Sequence, residues 1–198
     1  MRCIKVMKTF ITVLALILSF QSLSMADDIT DFEIEGMSVG DSLLNFMSKP
    51  EINSSKRNYT KNKKYYVVGY NDLKIYESMD IYLKRGDESY EIRTLGAFIF
   101  LKNKECLKKK KEIVKSLRDY FSSAKEETNK DQPHTYDKSG KSRITNTVFL
   151  LEGNDRGDHI RVECTDWSKE FENKNWSDNL SVGAYSKEIL KWFDDGYN

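Results

Sequence analysis

The chain has 198 residues and a formal net charge of +1, with 32 basic and 31 acidic side chains. Acids and bases are interspersed, which excludes the strongly basic balance of a nucleic-acid-binding protein. Aromatic residues make up 12% of the chain and prolines number two, a composition that excludes a disordered or low-complexity chain.

At the N-terminus, Arg2, Lys5 and Lys8 precede an apolar run over residues 10–20, interrupted only by Thr12 and Ser19. Ser24-Met25-Ala26 then places small residues where signal peptidase reads them, with Asp27-Asp28 beyond. Positive flank, short apolar core and small-x-small site predict a secretory signal peptide over residues 1–26 and a single exported domain over 27–198. A membrane-spanning helix needs roughly 20 apolar residues, about twice what precedes Gln21 and Ser22. Cys3 lies before the apolar core and no cysteine marks the cleavage site, which argues against a lipid anchor. Cleavage near Ala26 removes three positive charges and leaves about −2. The expected location is periplasmic or secreted, and the mature chain is not expected to span a membrane.

With Cys3 gone, the mature chain keeps Cys106 and Cys164. In an oxidising compartment two cysteines most simply form one disulfide. Both also fall on apolar faces of predicted elements, so a pair of buried free thiols remains the alternative.

Phe32-Glu33-Ile34-Glu35 alternates like a strand, and Ser38 with Asp41 makes an S-x-x-D helix start. Val39, Leu43, Leu44 and Met47 predict a helix of about ten residues, ended by Lys49-Pro50 because proline disfavours helix in the residue before it. Residues 53–63 are polar and read as a loop. Residues 65–70 are β-rich, and Met79, Ile81 and Leu83 alternate with Asp80, Tyr82 and Lys84. A turn over residues 84–88 leads to a returning strand with Tyr90, Ile92 and Thr94. Gly96 is expected to mark a bulge, followed by a strand over residues 97–101 buried on both faces.

Over residues 104–124 the period becomes helical, with Cys106, Leu107, Ile113, Val114, Leu117, Tyr120 and Phe121 on one side and lysines on the other. Residues 125–143 read as the longest loop. Val148 to Leu151 and Ile160, Val162 and Cys164 form a second hairpin. Leu180, Val182, Ala184 and Tyr185 suggest a last strand, and Ser186 caps a closing helix bearing Ile189, Leu190, Trp192 and Phe193. Short turns between successive strands imply antiparallel pairing. The expected fold is α+β: an antiparallel sheet with a short N-terminal helix, a long central helix and a C-terminal helix packed on it.

The motifs argue mainly against familiar chemistries. Gly140-Lys141-Ser142 resembles the end of a phosphate loop, but Thr135 stands where that loop needs its first glycine. Arg85-Gly86-Asp87 and Arg156-Gly157-Asp158 match the adhesion tripeptide of integrin ligands, yet both fall at hairpin tips that favour Gly and Asp anyway. His134 and His159 are the two histidines, and neither has a second His or Cys at metal-ligand spacing. Asp155, Asp158 and His159 share one turn that could hold a cation, and a solvated acidic loop is the expected reading. No G-x-S-x-G elbow is present. Neither cofactor nor metal is expected, and no catalytic residue is assigned.

The tyrosines carry the one positive hint. Tyr65, Tyr66, Tyr70, Tyr76, Tyr82 and Tyr90 crowd the first strands, and alternation should turn some outward. Exposed aromatics on a sheet form sugar- or protein-binding faces, so Tyr65, Tyr66, Tyr70 and Tyr82 are the candidate binding surface. Amphipathic strand packing is the competing explanation for the same residues.

The opening Phe32-Glu33-Ile34-Glu35-Gly36-Met37-Ser38-Val39-Gly40-Asp41-Ser42-Leu43-Leu44 resembles that of a group of uncharacterised small exported proteins from marine alphaproteobacteria. Residues 137–142 and Asp166-Trp167-Ser168 are similar too. That resemblance implies an exported domain and brings no catalytic residues. Gly36 and the element after it are also similar to the start of small α+β lipoproteins of outer-membrane assembly, without their lipidated cysteine. The expected function is a non-enzymatic envelope protein that binds another protein or a glycan. A periplasmic hydrolase with a site assembled from distant segments is the alternative, and a deep polar cleft with perturbed carboxylates or a buried histidine would favour it.

Overall fold

The computed structural model describes residues 28–57, 63–151 and 157–196. The expected signal peptide and residues 154–156 of the second hairpin turn lie outside them.

One antiparallel sheet organises the chain. Its strands are β1 (Lys56–Arg57), β2 (Tyr65–Tyr70), β3 (Ser78–Lys84), β4 (Ile92–Phe100), β5 (Lys125–Pro133), β6 (Arg143–Leu150), β7 (His159–Asp166) and β8 (Asn179–Tyr185). Their spatial order is β1-β2-β3-β4-β8-β7-β6-β5. The last strand therefore enters the centre, between β4 and β7, and joins the two halves of the sheet. Helices are α1 (Lys49–Ser54), α2 (Asn103–Tyr120), α3 (Lys169–Glu172) and α4 (Lys187–Gly196).

Strand alternation gives the sheet two unlike faces. Val68, Ile81, Leu95, Ala97, Val182, Val162 and Ile160 point to one side and form the main core with α2 and the segment before α1. From α2 this core receives Cys106, Lys110, Val114 and Leu117, a run at steps of three and four residues that continues with Phe121 beyond the helix. Lys110 was expected among the outward lysines and is instead buried, its Nζ donating to Thr147 Oγ1 at 2.7 Å. Leu107, expected inside, is 40% exposed. Helical phase decides both, because only one side of α2 can meet the sheet.

Cys106 on α2 and Cys164 on β7 are joined by a disulfide, with Cα atoms 5.8 Å apart. Both are buried. Among the described residues no helix is long and apolar enough to cross a membrane.

Several expectations are corrected. Phe32 and Ile34 are buried as alternation requires, but they lie in no strand; a single bridge links Ile34 to Met37. Glu35 (φ 56°) and Gly36 (φ 81°) both adopt left-handed backbone and close that bridge as a tight turn. The ten-residue helix after Ser38 is a short 3-10 turn at Leu43–Asn45. Asp41 does reach back to the Ser38 amide at 2.8 Å, yet the chain does not continue helically. Pro50 begins a helix instead of ending one: Ser48 and Glu51 form a reciprocal capping box and Pro50 sits in the first turn of α1, where its missing N–H costs nothing.

The strand expected after Gly96 and the one before it are a single strand, β4, and its end is open, with Phe100 51% exposed. Gly96 pairs regularly with Asp80 and Gly183, and the register shift falls between Tyr82 and Leu83. Residues 125–133, expected in a loop, form the edge strand β5. Its charged, exposed side chains hide it from a hydrophobic pattern while suiting an edge that must resist pairing with other chains.

Candidate functional site

The tyrosine face is covered. Tyr65 and Tyr66 are 2% and 5% exposed, and Tyr70 and Tyr82 are half-buried. Alternation does place Tyr65 and Tyr82 on the sheet face opposite α2, but α4 lies across them. Tyr65, Ile189 and Trp192 make a small core of their own, with Tyr82 and Phe193 against it. The Tyr65 and Trp192 rings meet edge-on at 5.2 Å. Tyr65 also donates its hydroxyl to Glu188, whose carboxylate ion-pairs with Lys64 at 3.1 Å. Burial raises the Tyr65 phenol above its usual value, and the Tyr65 hydrogen bond lowers Glu188. Tyr66 and Tyr76 point into the main core.

Beside this cluster, Tyr185 lies flat over Gly183, where an added Cβ would come within 2.6 Å of the tyrosine ring and 2.9 Å of the Leu95 carbonyl oxygen. The Arg161 guanidinium sits 4.3 Å over the same ring. His159 is buried next to it, 5.3 Å from Tyr185 and far along the fold from His134.

A groove of about 460 Å³ runs along the start of α4, shallow and lined by both signs of charge. Its acids are engaged. Glu91 pairs with Arg93 at 2.9 Å, Asp158 accepts from the Lys187 amide at 2.6 Å, and Glu188 holds Tyr65 and Lys64. Elsewhere on the sheet face opposite α2, burial raises the pKa of Asp80, which lies 3.6 Å from Arg57. Among the described residues no cluster of three or more His, Cys, Asp or Glu is placed to hold a metal ion.

The two adhesion tripeptides serve turns where they are described. Gly86 has φ 79°, Asp87 accepts from the Ser89 amide at 2.9 Å, and Arg85 donates to the Lys63 carbonyl at 2.6 Å. In the second, Arg156 lies outside the described residues, as does Asp155 of the acidic turn.

The exposed aromatics lie at the opposite end of the sheet. Past the end of β7, Trp167 is buried at 7% and surrounded by rings. Phe171 stacks on it at 5.2 Å, Trp176 meets it edge-on at 4.6 Å, and His134 lies at 4.3 Å. His134 in turn stacks under Tyr136 at 5.4 Å, and Tyr136 faces Trp176 at 6.3 Å. The outer two rings remain open: Tyr136 is 46% exposed and Trp176 43%.

Local backbone chemistry presents both rings. After α3 the chain closes a Schellman cap. Asn175 is left-handed at φ 65°, its N–H bonds to the Glu172 carbonyl at 3.0 Å, and the Trp176 N–H bonds to the Phe171 carbonyl at 3.1 Å. The hydrophobic contact that accompanies such caps is Trp176 on Phe171, at 5.6 Å. Tyr136 is held from the other side. Its amide donates to His134 Nδ1 at 3.2 Å, and His134 N–H bonds to the Ser142 carbonyl at 2.9 Å.

Asp137 closes that turn by accepting from Ser139 and Ser142, amide and hydroxyl of each, at 2.6–2.9 Å. Although little of its surface meets solvent, its cover is thin. The serine hydrogen bonds, those from Ser139 first, hold its pKa well below the usual carboxylate range. Burial lowers the His134 imidazole. Ser142 Oγ also accepts from the Ser168 amide at 3.0 Å, tying this turn to the start of α3. The segments of the Gly-Lys-Ser and Asp-Trp-Ser stretches thus meet at one corner.

Sequence reasoning passed over Tyr136, Trp167 and Trp176. The available signal was an aromatic pair five residues apart, Phe171 and Trp176, with Asn175 between them at the position of a left-handed cap. No protein-family model matches this chain, and neither does any curated protein or solved structure.

Proposed function

We propose that the mature chain is a non-enzymatic recognition module of the bacterial envelope, exported by cleavage near Ala26 and binding its ligand at the Tyr136–Trp176 corner. The observation that carries this reading is two large rings held open to solvent on a rigid aromatic stack. Exposed Trp and Tyr on a fixed support bury contact area with little loss of rotamer freedom, which is why binding surfaces favour them. The ordering cost is met within the fold, by the Schellman cap on one side and the Asp137 turn on the other. The disulfide and the lack of a membrane-crossing helix among the described residues fit an exported protein.

The test compares wild-type protein with the double variant Tyr136→Ala/Trp176→Ala. Both are purified from cells expressing the full chain and challenged with separated polysaccharide and protein fractions of the envelope. A component retained by wild type, lost by the variant and identified by mass spectrometry is the expected result. Equal retention by both proteins would overturn the assignment, as would hydrolytic turnover abolished by Asp80→Asn or His159→Ala.

A further inference from the structure

Resting on that recognition reading, the strand register shows what adjoins the platform. Arg161, Glu163 and Thr165 of β7 lie on the sheet face opposite α2, because Ile160, Val162 and Cys164 point into the main core. Trp167 continues that alternation one step past the strand. His134, 4.3 Å from Trp167, also senses the charges of Glu163 and Arg161, so the corner adjoins this face. The far end of the face is covered by α4 at Tyr65 and Tyr82.

Two rows of side chains cross the face between α4 and the corner. One runs Asn129, Asn146, Glu163, Ser181 and Phe98, over β5, β6, β7, β8 and β4. The next, one step nearer the corner, runs Gln132, Ile144, Thr165, Asn179 and Phe100. Gln132 follows Asn129 by an odd number of positions and would face the other way in a regular strand. A β-bulge at Lys130 and Asp131, with Asp131 left-handed at φ 51°, inserts one residue and returns Gln132 to this face.

The middle of the strip is polar, with Asn146, Ser181 and Thr165 buried among their neighbours. Around them Asn129 and Gln132 are exposed and Asn179 is half-buried. These three amides each donate one N–H within the fold, to Asn146, the Lys130 carbonyl and the Ser177 carbonyl respectively, at 2.9–3.1 Å. An amide so held is fixed before binding, and with a second N–H and a carbonyl oxygen it both donates to and accepts from a hydroxyl group. Rings stand on both sides: Phe100, 51% exposed, on β4, and the platform beyond β7. Phe100 and Trp167 are two strands and two residues apart, about 12 Å at the spacings of a sheet. One pyranose does not cover that distance, and a short chain of them does.

Charge is matched throughout. Glu163 is the single ionisable side chain of the two rows; Arg161 lies 3.9 Å from it and Asn146 donates to it at 3.1 Å. At the corner Asp137, Asp166, Glu170, Glu172 and Asp178 are equalled in number by Lys102, Lys138, Lys141, Lys169 and Lys174. A charged ligand would need a surplus of the opposite sign, and a stable protein interface an apolar centre. This strip has amides and hydroxyls at its centre and rings at its sides.

We propose that the ligand is an uncharged glycan chain. One pyranose stacks its C–H face on Trp176 and Tyr136, and the chain crosses the strip toward Phe100 with its hydroxyls on Asn129, Gln132 and Asn179. The experiment titrates the protein purified from the full chain with cellotetraose, maltotetraose and chitotetraose, with glucose and N-acetylglucosamine, and with tetragalacturonate, read by calorimetry and tryptophan fluorescence. At least one neutral tetramer should bind about tenfold or more tightly than its monomer and than tetragalacturonate, with an affinity that added salt leaves unchanged. Trp176→Ala should weaken that tetramer about tenfold. Asn129→Ala/Gln132→Ala and Phe100→Ala should each weaken it several-fold, with unfolding temperature unchanged.

Tighter binding of tetragalacturonate, or equal affinity for tetramer and monomer, would overturn the neutral-chain assignment. So would amide and Phe100 variants that bind as wild type does. If no neutral tetramer binds at millimolar concentration the glycan inference falls, and an identified envelope protein that still needs Trp176 would leave the recognition reading standing. If no envelope component of any kind depends on Trp176, the recognition reading itself falls.

Discussion

At one end of the sheet Tyr65, Tyr82 and Phe193 surround Trp192, and at the other Trp167 and Phe171 support Trp176 and Tyr136. Both clusters join a strand end to a short helix through edge-on ring contacts. In the first, the helix α4 follows β8 after one residue and turns its apolar side down onto the rings, so Trp192 is 3% exposed. In the second, α3 is a single turn closed by a Schellman cap, too short to fold back over its own aromatics. Similar residues therefore serve as a seal in one place and an open platform in the other. What differs is the length of helix available to cover them.

The comparison breaks first at Trp192. Trp192→Ala should cost about 3–5 kcal/mol of stability, the range for emptying a buried aromatic site, and leave Tyr136 and Trp176 undisturbed. Urea unfolding measures the loss, and a cost below about 1 kcal/mol would mean that α4 does not seal the tyrosine face.

Replacing both cysteines, as Cys106→Ala/Cys164→Ala, should cost about 2–4 kcal/mol through the freed loop of 58 residues. That bridge ties α2 to the sheet face away from both clusters, so neither ring environment should change. Near-ultraviolet circular dichroism of the double variant would detect a change.

Asp137→Ala acts on the open platform alone. Its carboxylate is held below 3.8 by hydrogen bonds that exist only in the folded turn, so it stabilises the fold above that pH and ceases to do so as pH falls through its folded value. The variant should unfold at lower temperature at neutral pH, with the difference from wild type shrinking in acid. A difference independent of pH would place the effect elsewhere. His134 titrates in a higher window. Burial holds its folded value below 6.5, so the unfolded chain takes up more protons as pH drops below 6.5 and stability declines there. His134→Phe should remove that decline, and a persistent slope would assign it to another group.

The smallest effect on stability belongs to Trp176→Ala. An exposed ring on a helix cap should change unfolding by less than about 1 kcal/mol, while removing the solvent-exposed component of tryptophan fluorescence. A loss comparable to that at Trp192 would show that the platform is packed rather than presented.

Periodicity made β3, β7, β8, α2 and α4 legible, because each turns its large apolar side chains to one side, which leaves an apolar step of two or three-to-four residues, even in β8, whose other face is buried as well but carries Ser181 and Gly183. The α+β class and the antiparallel pairing follow from those elements and the short turns between them. Where burial is absent the pattern fails, as at β5, whose nine residues are nearly all exposed and held by backbone pairing. It also fails where a local rule has two meanings. Proline closes a helix or opens one according to the cap before it, and at Pro50 the Ser48–Glu51 box decided for opening.

The pair Cys106–Cys164 could be named from the sequence because the expected signal cleavage would leave only those two cysteines. The sequence alone also marked Tyr65 and Tyr82 as facing away from the main core, since alternation along a strand is a local property. Whether that far face meets water depended on the distant helix α4. The platform at Tyr136 and Trp176 needed residues 134–142 and 166–176 to meet across two strand ends, joined by Ser142 and Ser168. Side-chain direction is set within a few bonds, but exposure is set by whatever else the folded chain brings alongside, and only the tertiary structure decides that.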